Sequence, residues 1–465
     1  MRVLIVAVMF GLGIAFAAKA PAAKGRANLI AIVTDDQGRW AMGTYGNADI
    51  RTPNMDRIGR EGAVFTRAMV ATPVCSPSRA TYFSGLFPTE LGITDWISNE
   101  EAAAGRGLKA LTWPQVLRQN GYRTAMIGKW HLGTLDRFHP TRLGFDHFMG
   151  FREGGAKPMN ALLEIDGKIT KTEGALPDVL VDDAIRFVKA NRAGPFALCL
   201  HFRAPHLPYG PVPPADKAQY KDVDPKVPML RGLDIADVKR TTLDYYASIS
   251  SVDRNIGRLL DVLDEISLAD NTLVTFTSDH GYNEGRHYIK TKGNGYWMAG
   301  GVRGPKRPNM WDTSVLVPLV ARWPKVIKPG TRVEQMVSNL DMFRTVLGAL
   351  GVSPPEKCAA RGVDFSPLLR GESLEPREAV FGQYDLHNNG LAYLRMMRTS
   401  RYKYVRHFRT NFMDELYDLQ TDPGETRNLI RRTAAPQHAA VLKQMQEKLQ
   451  AWQESINDPV LADRY

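Results

Sequence analysis

The chain has 465 residues, longer than one ordinary domain of about 150 residues, with 44% hydrophobic and 23% charged residues. That balance excludes long disorder and suits a large α/β body with a smaller companion. Sixty Lys plus Arg against 49 Asp plus Glu give a formal net charge of +11; no basic block concentrates it, which argues against nucleic acid and leaves an acidic polymer or plain solubility as its meaning.

The first twenty residues carry Arg2, an apolar run from Val3 to Phe16 and small residues at Ala15, Ala17, Ala18 and Ala20. They read as a signal peptide (1–20), because the run is shorter than the ~20 residues of a spanning helix. No later segment is apolar enough to span a bilayer, so the mature chain is expected in the periplasm or outside the cell, without stable membrane insertion. Its three cysteines, Cys75, Cys199 and Cys358, allow at most one disulfide in such a compartment.

After a short linker, "NLIAIVTDDQG" is a continuous apolar run ending in Asp35 and Asp36. Unalternating runs of this length suit buried parallel strands. "YRTAMIGKWHLG", "PFALCLHFRAPH" and "NTLVTFTSDHG" repeat the plan, ending in Lys129 and His131, in His206, and in Asp279 and His280. Cys199 lies inside one of these runs as a small core residue. The intervening stretches "TWPQVLRQNG", "VLVDDAIRFVKANRAG" and "YYASISSVDRNIGRLLDVLDE" have helical periodicity. Alternating strands and helices predict an α/β main body with a largely parallel sheet, whose ligands bind outside the carboxyl ends of the strands. Near Pro354 and Pro355 the texture changes, and after "GVDFSPLLRGE" come short strands and a final amphipathic helix, a smaller α+β unit at 371–465 after a main body at 27–370.

Two neighbouring carboxylates at a strand end repel each other unless a cation sits between them, and hard divalent cations prefer oxygen ligands. In "TPVCSPSRATYFSG", Pro77 is tolerated in a first helical turn, and Arg79 falls four residues after Cys75, on the same helix face. Cys75 then stands at a helix N-terminus, which favours an anion, beside a guanidinium suited to a tetrahedral oxyanion. Lys129, His131, His206 and Lys292 add cations and proton donors. Singly each has an ordinary structural reading; together, at the ends of neighbouring strands, they describe one site for an anionic group.

At these residues the chain resembles the formylglycine-dependent sulfatases of the alkaline phosphatase superfamily. "CSPSR" matches the Cys-x-Pro-x-Arg signature of that family and "GKWHLG" its second signature. The likeness runs on through "APHLP", "TSDHG", "VPLVARWP" and "DELYDLQTDPGETRNL". The resemblance implies an alkaline-phosphatase-like α/β fold, a large mixed, mostly parallel sheet flanked by helices, and hydrolysis of a sulfated saccharide or small sulfate ester. It further implies oxidation of Cys75 to formylglycine by a separate maturation enzyme, and one Ca²⁺, with Mg²⁺ as the alternative, held by Asp35, Asp36, the converted Cys75, Asp279 and His280. Many members have Asn where this chain has His280. By the same carry-over, a diol oxygen at position 75 attacks sulfur while Arg79, Lys129 and Lys292 hold the sulfate oxygens. His206, with Lys292, protonates the leaving oxygen, and His131 deprotonates the remaining hydroxyl as sulfate departs. The segment after the lysine is longer than usual, so Lys290 is the neighbouring alternative to Lys292, and His287 is a lesser candidate. The aromatic-rich segments "DWIS" near Trp96 and "QYDLHNNG" near Tyr384 suit a sulfated carbohydrate, with His387 and Asn388 as candidate sugar contacts. The competing readings are a phosphomonoester or phosphonate ester hydrolase of the same superfamily and a catalytically dead protein that binds anionic glycans.

Overall fold

The computed structural model describes residues 25–301, 304–432 and 436–462; the expected signal peptide lies outside them. Strands β1 (Asn28–Asp35), β2 (Ala63–Met69), β3 (Arg123–Lys129), β4 (His147–Phe151), β5 (Leu162–Ile165), β6 (Lys168–Lys171), β7 (Phe196–Pro205) and β8 (Thr272–Ser278) follow in chain order. A two-stranded hairpin comes next, β9 (Ile289–Lys290) and β10 (Tyr296–Trp297), and then β11 (Leu319–Arg322) and β12 (Thr331–Ser338). Ten of these form one sheet, ordered β12-β2-β11-β8-β1-β7-β3-β4-β5-β6. Its centre, from β8 to β4, is parallel, whereas β11 runs antiparallel to both β2 and β8 and the hairpin of β5 and β6 closes the far edge.

Alternate residues of a strand face opposite sides of its sheet, so a strand covered on both sides must be apolar throughout. In β1, Leu29, Ala31 and Val33 join a core containing Ala80, Phe83, Trp113 and Phe343. Ile30 and Ile32 join another, with Leu180 and Val181 from the helix Leu176–Ala190 and Ile249, Val252 and Ile256 from the helix Ile235–Glu265.

The helix Cys75–Ser84 is buried along its whole length. It ends at Gly85, where φ is +68° and a Cβ would meet Ala360 and Phe343 at 2.8 and 3.0 Å, so only glycine fits that turn. The remaining strands, β13 (Ala379–Leu386), β14 (Ala392–Thr399), β15 (Tyr402–Phe408) and β16 (Glu415–Asp418), make a small antiparallel sheet. The helix Pro436–Ser455 packs Met445, Leu449 and Trp452 with Phe87, Leu340, Met397 and Tyr404. Gln383 of β13 donates its N–H to the Ala71 carbonyl (2.9 Å) and accepts from Thr72 Oγ1 (2.6 Å). The small sheet thereby grips the segment leading into Cys75.

Candidate active site

The four strands whose ends were expected to converge, β8, β1, β7 and β3, are consecutive in the sheet and parallel. Their carboxyl ends therefore open on one side, which is where the chain turns into its reactive residues. Asp35 ends β1, and the next residue, Asp36, takes φ +72°, a left-handed turn that sends successive carboxylates into one space. Lys129 ends β3, just after Gly128, where a Cβ would lie 1.9 Å from the His201 carbonyl oxygen. Asp279 and His280 follow β8 directly.

Cys75 meets this group from the first position of its helix, with Val74 extended before it. Its Sγ lies 3.5 Å from Asp35 Oδ1, 3.5 Å from His280 Nε2 and 3.0 Å from Lys292 Nζ. Lys292 Nζ also donates to Asp36 Oδ1 at 2.6 Å, and Lys129 Nζ to Asp35 Oδ2 at 2.5 Å. Four residues on, Arg79 donates from Nε to Asp279 Oδ2 (3.0 Å) and from Nη1 to the Lys129 carbonyl (3.3 Å) and His201 Nδ1 (3.1 Å). Its buried Nη2 has no partner among the described residues.

Burial and the Asp35 carboxylate push the Cys75 thiol up, but Lys129, Lys292 and His131 outweigh them and hold it well below its ordinary value. Asp35 is likewise held low, Lys129 and His206 overcoming its burial. Asp279 is pushed up to about 7 by burial and the nearby Asp35 charge. His280 rises to about 9, the Asp279 and Asp36 carboxylates overcoming burial.

A model of the sulfatase family matches residues 27–352, and a model described as the C-terminal part of N-sulphoglucosamine sulphohydrolase matches residues 305–455. The chain belongs to the sulfatase family. Human steryl-sulfatase is 27% identical, over 91% of this chain and 88% of its own. An N-acetylglucosamine-6-O-sulfatase of Bacteroides thetaiotaomicron is 28% identical, over 93% and 88%. The solved structure of BT4656 in complex with its substrate D-glucosamine-2-N,6-O-disulfate is 26% identical, covers 95% of this chain and 100% of that one, and superposes with a TM-score of 0.81. The protein is a sulfatase, and neither phosphoester hydrolysis nor a dead glycan binder is favoured.

Sulfatases use a formylglycine and a divalent metal, and the donor set of this one fits a hard cation. Asp35, Asp36, Cys75 and His280 each offer a ligand atom within 4.8 Å of the others. Asp279 Oδ1 lies 3.3 Å from His280 Nε2, while its other oxygen serves Arg79. His280 Nδ1–H donates to the Gly281 carbonyl (3.0 Å), which leaves Nε2 to face the carboxylates, as in a histidine oriented for a metal. Sulfur is the one soft atom in the set, and an oxygen at position 75 would complete it.

Two further histidines belong to the site, His131 beside Cys75 and His206 within the field of Asp35 and Asp36. His131, at φ +59°, donates Nε2–H to the Ile97 carbonyl (3.1 Å), so Nδ1 is its basic atom. Burial and then Lys129 lower its pKa, against the pull of Cys75. His206 donates Nδ1–H to the Leu207 carbonyl (2.6 Å), leaving Nε2 as the exchangeable site. Burial depresses its pKa and Asp36 supports the charged form.

Of the paired alternatives, Lys292 is on Cys75, whereas Lys290 is bonded to Glu284. His287 stacks on Trp311 with ring centroids 4.2 Å apart; it lines a cleft with Arg307 and Phe412 that none of the strand-end residues touches. The candidate sugar contacts engage the chain itself. Tyr384 Oη and the N–H groups of His387 and Asn388 bond Asp95, while Asn388 Nδ2 donates to the Trp96 carbonyl. They thus pin the segment whose Ile97 carbonyl orients His131 and whose Ile97 N–H donates to Ser76 Oγ (3.0 Å).

Sequence reasoning missed His201, taken as part of an apolar run. It stacks on Phe83 and holds Arg79 through Nδ1. Strand alternation could have found it, since Ala197 and Cys199 of β7 face the core that holds the Cys75–Ser84 helix.

Proposed function

We propose that the protein is an exported sulfatase that removes sulfate from a sulfated carbohydrate, with Cys75 converted by a maturation enzyme to the formylglycine that supplies the nucleophilic oxygen. The observation that carries this reading is the setting of Cys75 at the start of a buried helix, 3.5 Å from Asp35 and His280 and 3.0 Å from Lys292. Nothing in that setting serves a structural thiol.

The bound divalent cation, for which we infer Ca²⁺ with Mg²⁺ as the alternative, would draw charge from the sulfate oxygens and hold the position-75 oxygen ionised. Asp35, Asp36, Asp279 and His280 would be its protein ligands. Arg79 directs its unpaired Nη2 and Lys129 and Lys292 their ammonium groups to the sulfate, so that preorganised positive charge meets the anion without rearrangement. His206 holds at Nε2 the proton that passes to the departing sugar oxygen, with Lys292 beside it. His131 accepts at Nδ1 the proton of the remaining hydroxyl at position 75, which lets sulfate leave without attack of water on sulfur. The basic Arg2 and the apolar run from Val3 to Phe16 support export.

The glycan relatives and the N-sulphoglucosamine sulphohydrolase match make a hexosamine sulfate the first compound to test. Protein produced together with a formylglycine-generating enzyme should release sulfate from one member of a panel of defined sulfated saccharides and from a nitrophenyl sulfate. It should act far more weakly on the matching nitrophenyl phosphate. Faster turnover of the phosphate, or no sulfate release from matured protein, would overturn the assignment.

A further inference from the structure

Glu284 follows β8 in the loop beyond the strand-end residues, and none of the roles above employs it. It is fully buried at φ +43°, a backbone conformation unfavourable to a residue with a Cβ. Its carboxylate collects donors from three separate elements. Tyr209 Oη, from the loop after β7, donates to Oε2 at 2.6 Å. Thr241 Oγ1, from the helix Ile235–Glu265, and Lys290 Nζ, from the end of β9, both donate to Oε1.

Two of these donors, Tyr209 and Lys290, are a short step from a residue of the reaction. Tyr209 lies three residues beyond His206, and Lys290 two residues before Lys292. Tyr209 Oη also shares a 2.7 Å hydrogen bond with Tyr282 Oη. Tyr282 stacks on Tyr245 with centroids 5.1 Å apart and planes at 15°. Tyr245 Oη in turn donates to the Asp36 carbonyl (2.7 Å) and accepts from the Gly38 N–H (3.0 Å). The arm that carries Lys292 and the loop that carries His206 therefore meet on one buried carboxylate, and the turn that aims Asp36 reaches it through Tyr245, Tyr282 and Tyr209. A buried carboxylate needs several donors whatever its role; what sets Glu284 apart is that two of them come from the separate segments leading to His206 and Lys292.

We propose that Glu284 is a positioning residue that sets Lys292 and His206 against the leaving oxygen of the substrate. The inference rests on the leaving-group role proposed for those two side chains. Misplacement of a reacting group by about 1 Å can cost about a hundredfold in rate, and the loss should fall on the step that needs the proton.

The test compares Glu284→Gln, His206→Ala and the double variant on a series of aryl sulfates of graded leaving-group acidity together with a sugar sulfate, reading kcat/KM per folded molecule. Glu284→Gln should lose about tenfold or more on the poorest leaving groups and little on the best, in the pattern of a weakened general acid. In the double variant the two losses should fall well short of multiplying, as for residues that act on one step. Tyr209→Phe, which removes a single hydroxyl, should show the same slope in smaller measure, and it carries the test should the Gln variant fold poorly. A flat series for Glu284→Gln and Tyr209→Phe beside a steep one for His206→Ala would overturn the positioning role alone. A flat series for His206→Ala would overturn the acid assignment and this inference with it.

Discussion

Arg79 and Arg395 are both buried, one at the strand ends and one under the small sheet, and they are bonded in opposite ways. Arg395 spends all three nitrogens on two carboxylates and a carbonyl: Nε and Nη2 on Asp458 (2.5 and 2.8 Å), Nη1 and Nη2 on Asp385 (2.5 and 3.3 Å), and Nη1 again on the Leu394 carbonyl (2.9 Å). Asp458 is further fixed by Gln453 Nε2 and the Val460 N–H. Such a cluster is closed, and its work is finished when the chain has folded. Arg79 has one carboxylate, a neutral imidazole and a carbonyl, and one nitrogen to spare. A buried group left incompletely bonded costs free energy in the fold alone, and at the strand ends an outside anion can complete this one.

The largest expected effect lies at the open end. Cys75→Ala should abolish sulfate release while leaving the thermal unfolding transition nearly where it was, because the thiol fills no gap that a methyl group leaves costly; a calorimetric scan beside the activity assay checks both. Arg395→Met should do the reverse. Stranding two buried carboxylates costs about 3–5 kcal/mol, which should appear as a lower denaturant midpoint with turnover per folded molecule unchanged. Arg79→Lys keeps a charge and loses the fork, and should cost about 10²–10³ in kcat with modest change in stability. If Arg395→Met slowed turnover as much as Arg79→Lys, the division between closed and open clusters would fail.

The strand ends and the helix opening at Cys75 were legible because they depend on local features. Apolar runs too short for helices stop at charged residues, and a Pro-containing turn begins a helix. The largely parallel centre of the sheet was legible, but the place where β11 enters antiparallel between β2 and β8 was not, since strand direction depends on connections rather than composition. His201 was lost inside "FALCLHF" because an apolar run hides one polar member whose partner arrives from a helix more than a hundred residues earlier. Glu284 was unreadable for a related reason: its three donors are dispersed from Tyr209 to Lys290, and no spacing within "GYNEG" announces them. The segment around Asp95 and Trp96 was noticed for its aromatic residue, yet its use is as a prop for His131, which only the packing of β13 against it reveals.

Smaller effects sharpen the contrast further. His206→Ala should lose about 10²-fold on a sugar sulfate, the usual size of acid–base catalysis, and much less on a nitrophenyl sulfate whose leaving group needs no proton. Equal losses on both would reassign the acid. At the other extreme is His287, whose imidazole is brought down to about 4 by burial and the neighbouring Lys403 charge. Its folded value lies below the ~6.5 of an unfolded chain, so the neutral ring contributes stability fully above that pH, and the contribution is lost as pH falls from about 6.5 towards 4. His287→Asn should therefore flatten the fall of the unfolding midpoint over that window, although it lowers the midpoint at pH 7.5 through loss of the stack on Trp311. An unchanged slope would remove His287 from the account of acid sensitivity.

The central claim is that position 75 works as an aldehyde hydrate and not as a thiol. Peptide mass spectrometry of the fragment spanning Thr72 to Gly85, taken from protein whose sulfate release has been measured in the same preparation, tests it directly. The account predicts a peptide lighter by the difference between a thiol side chain and an aldehyde, in a fraction that rises in proportion to specific activity across preparations made with and without the maturation enzyme. Full activity in protein whose Cys75 is wholly an unmodified thiol would contradict it.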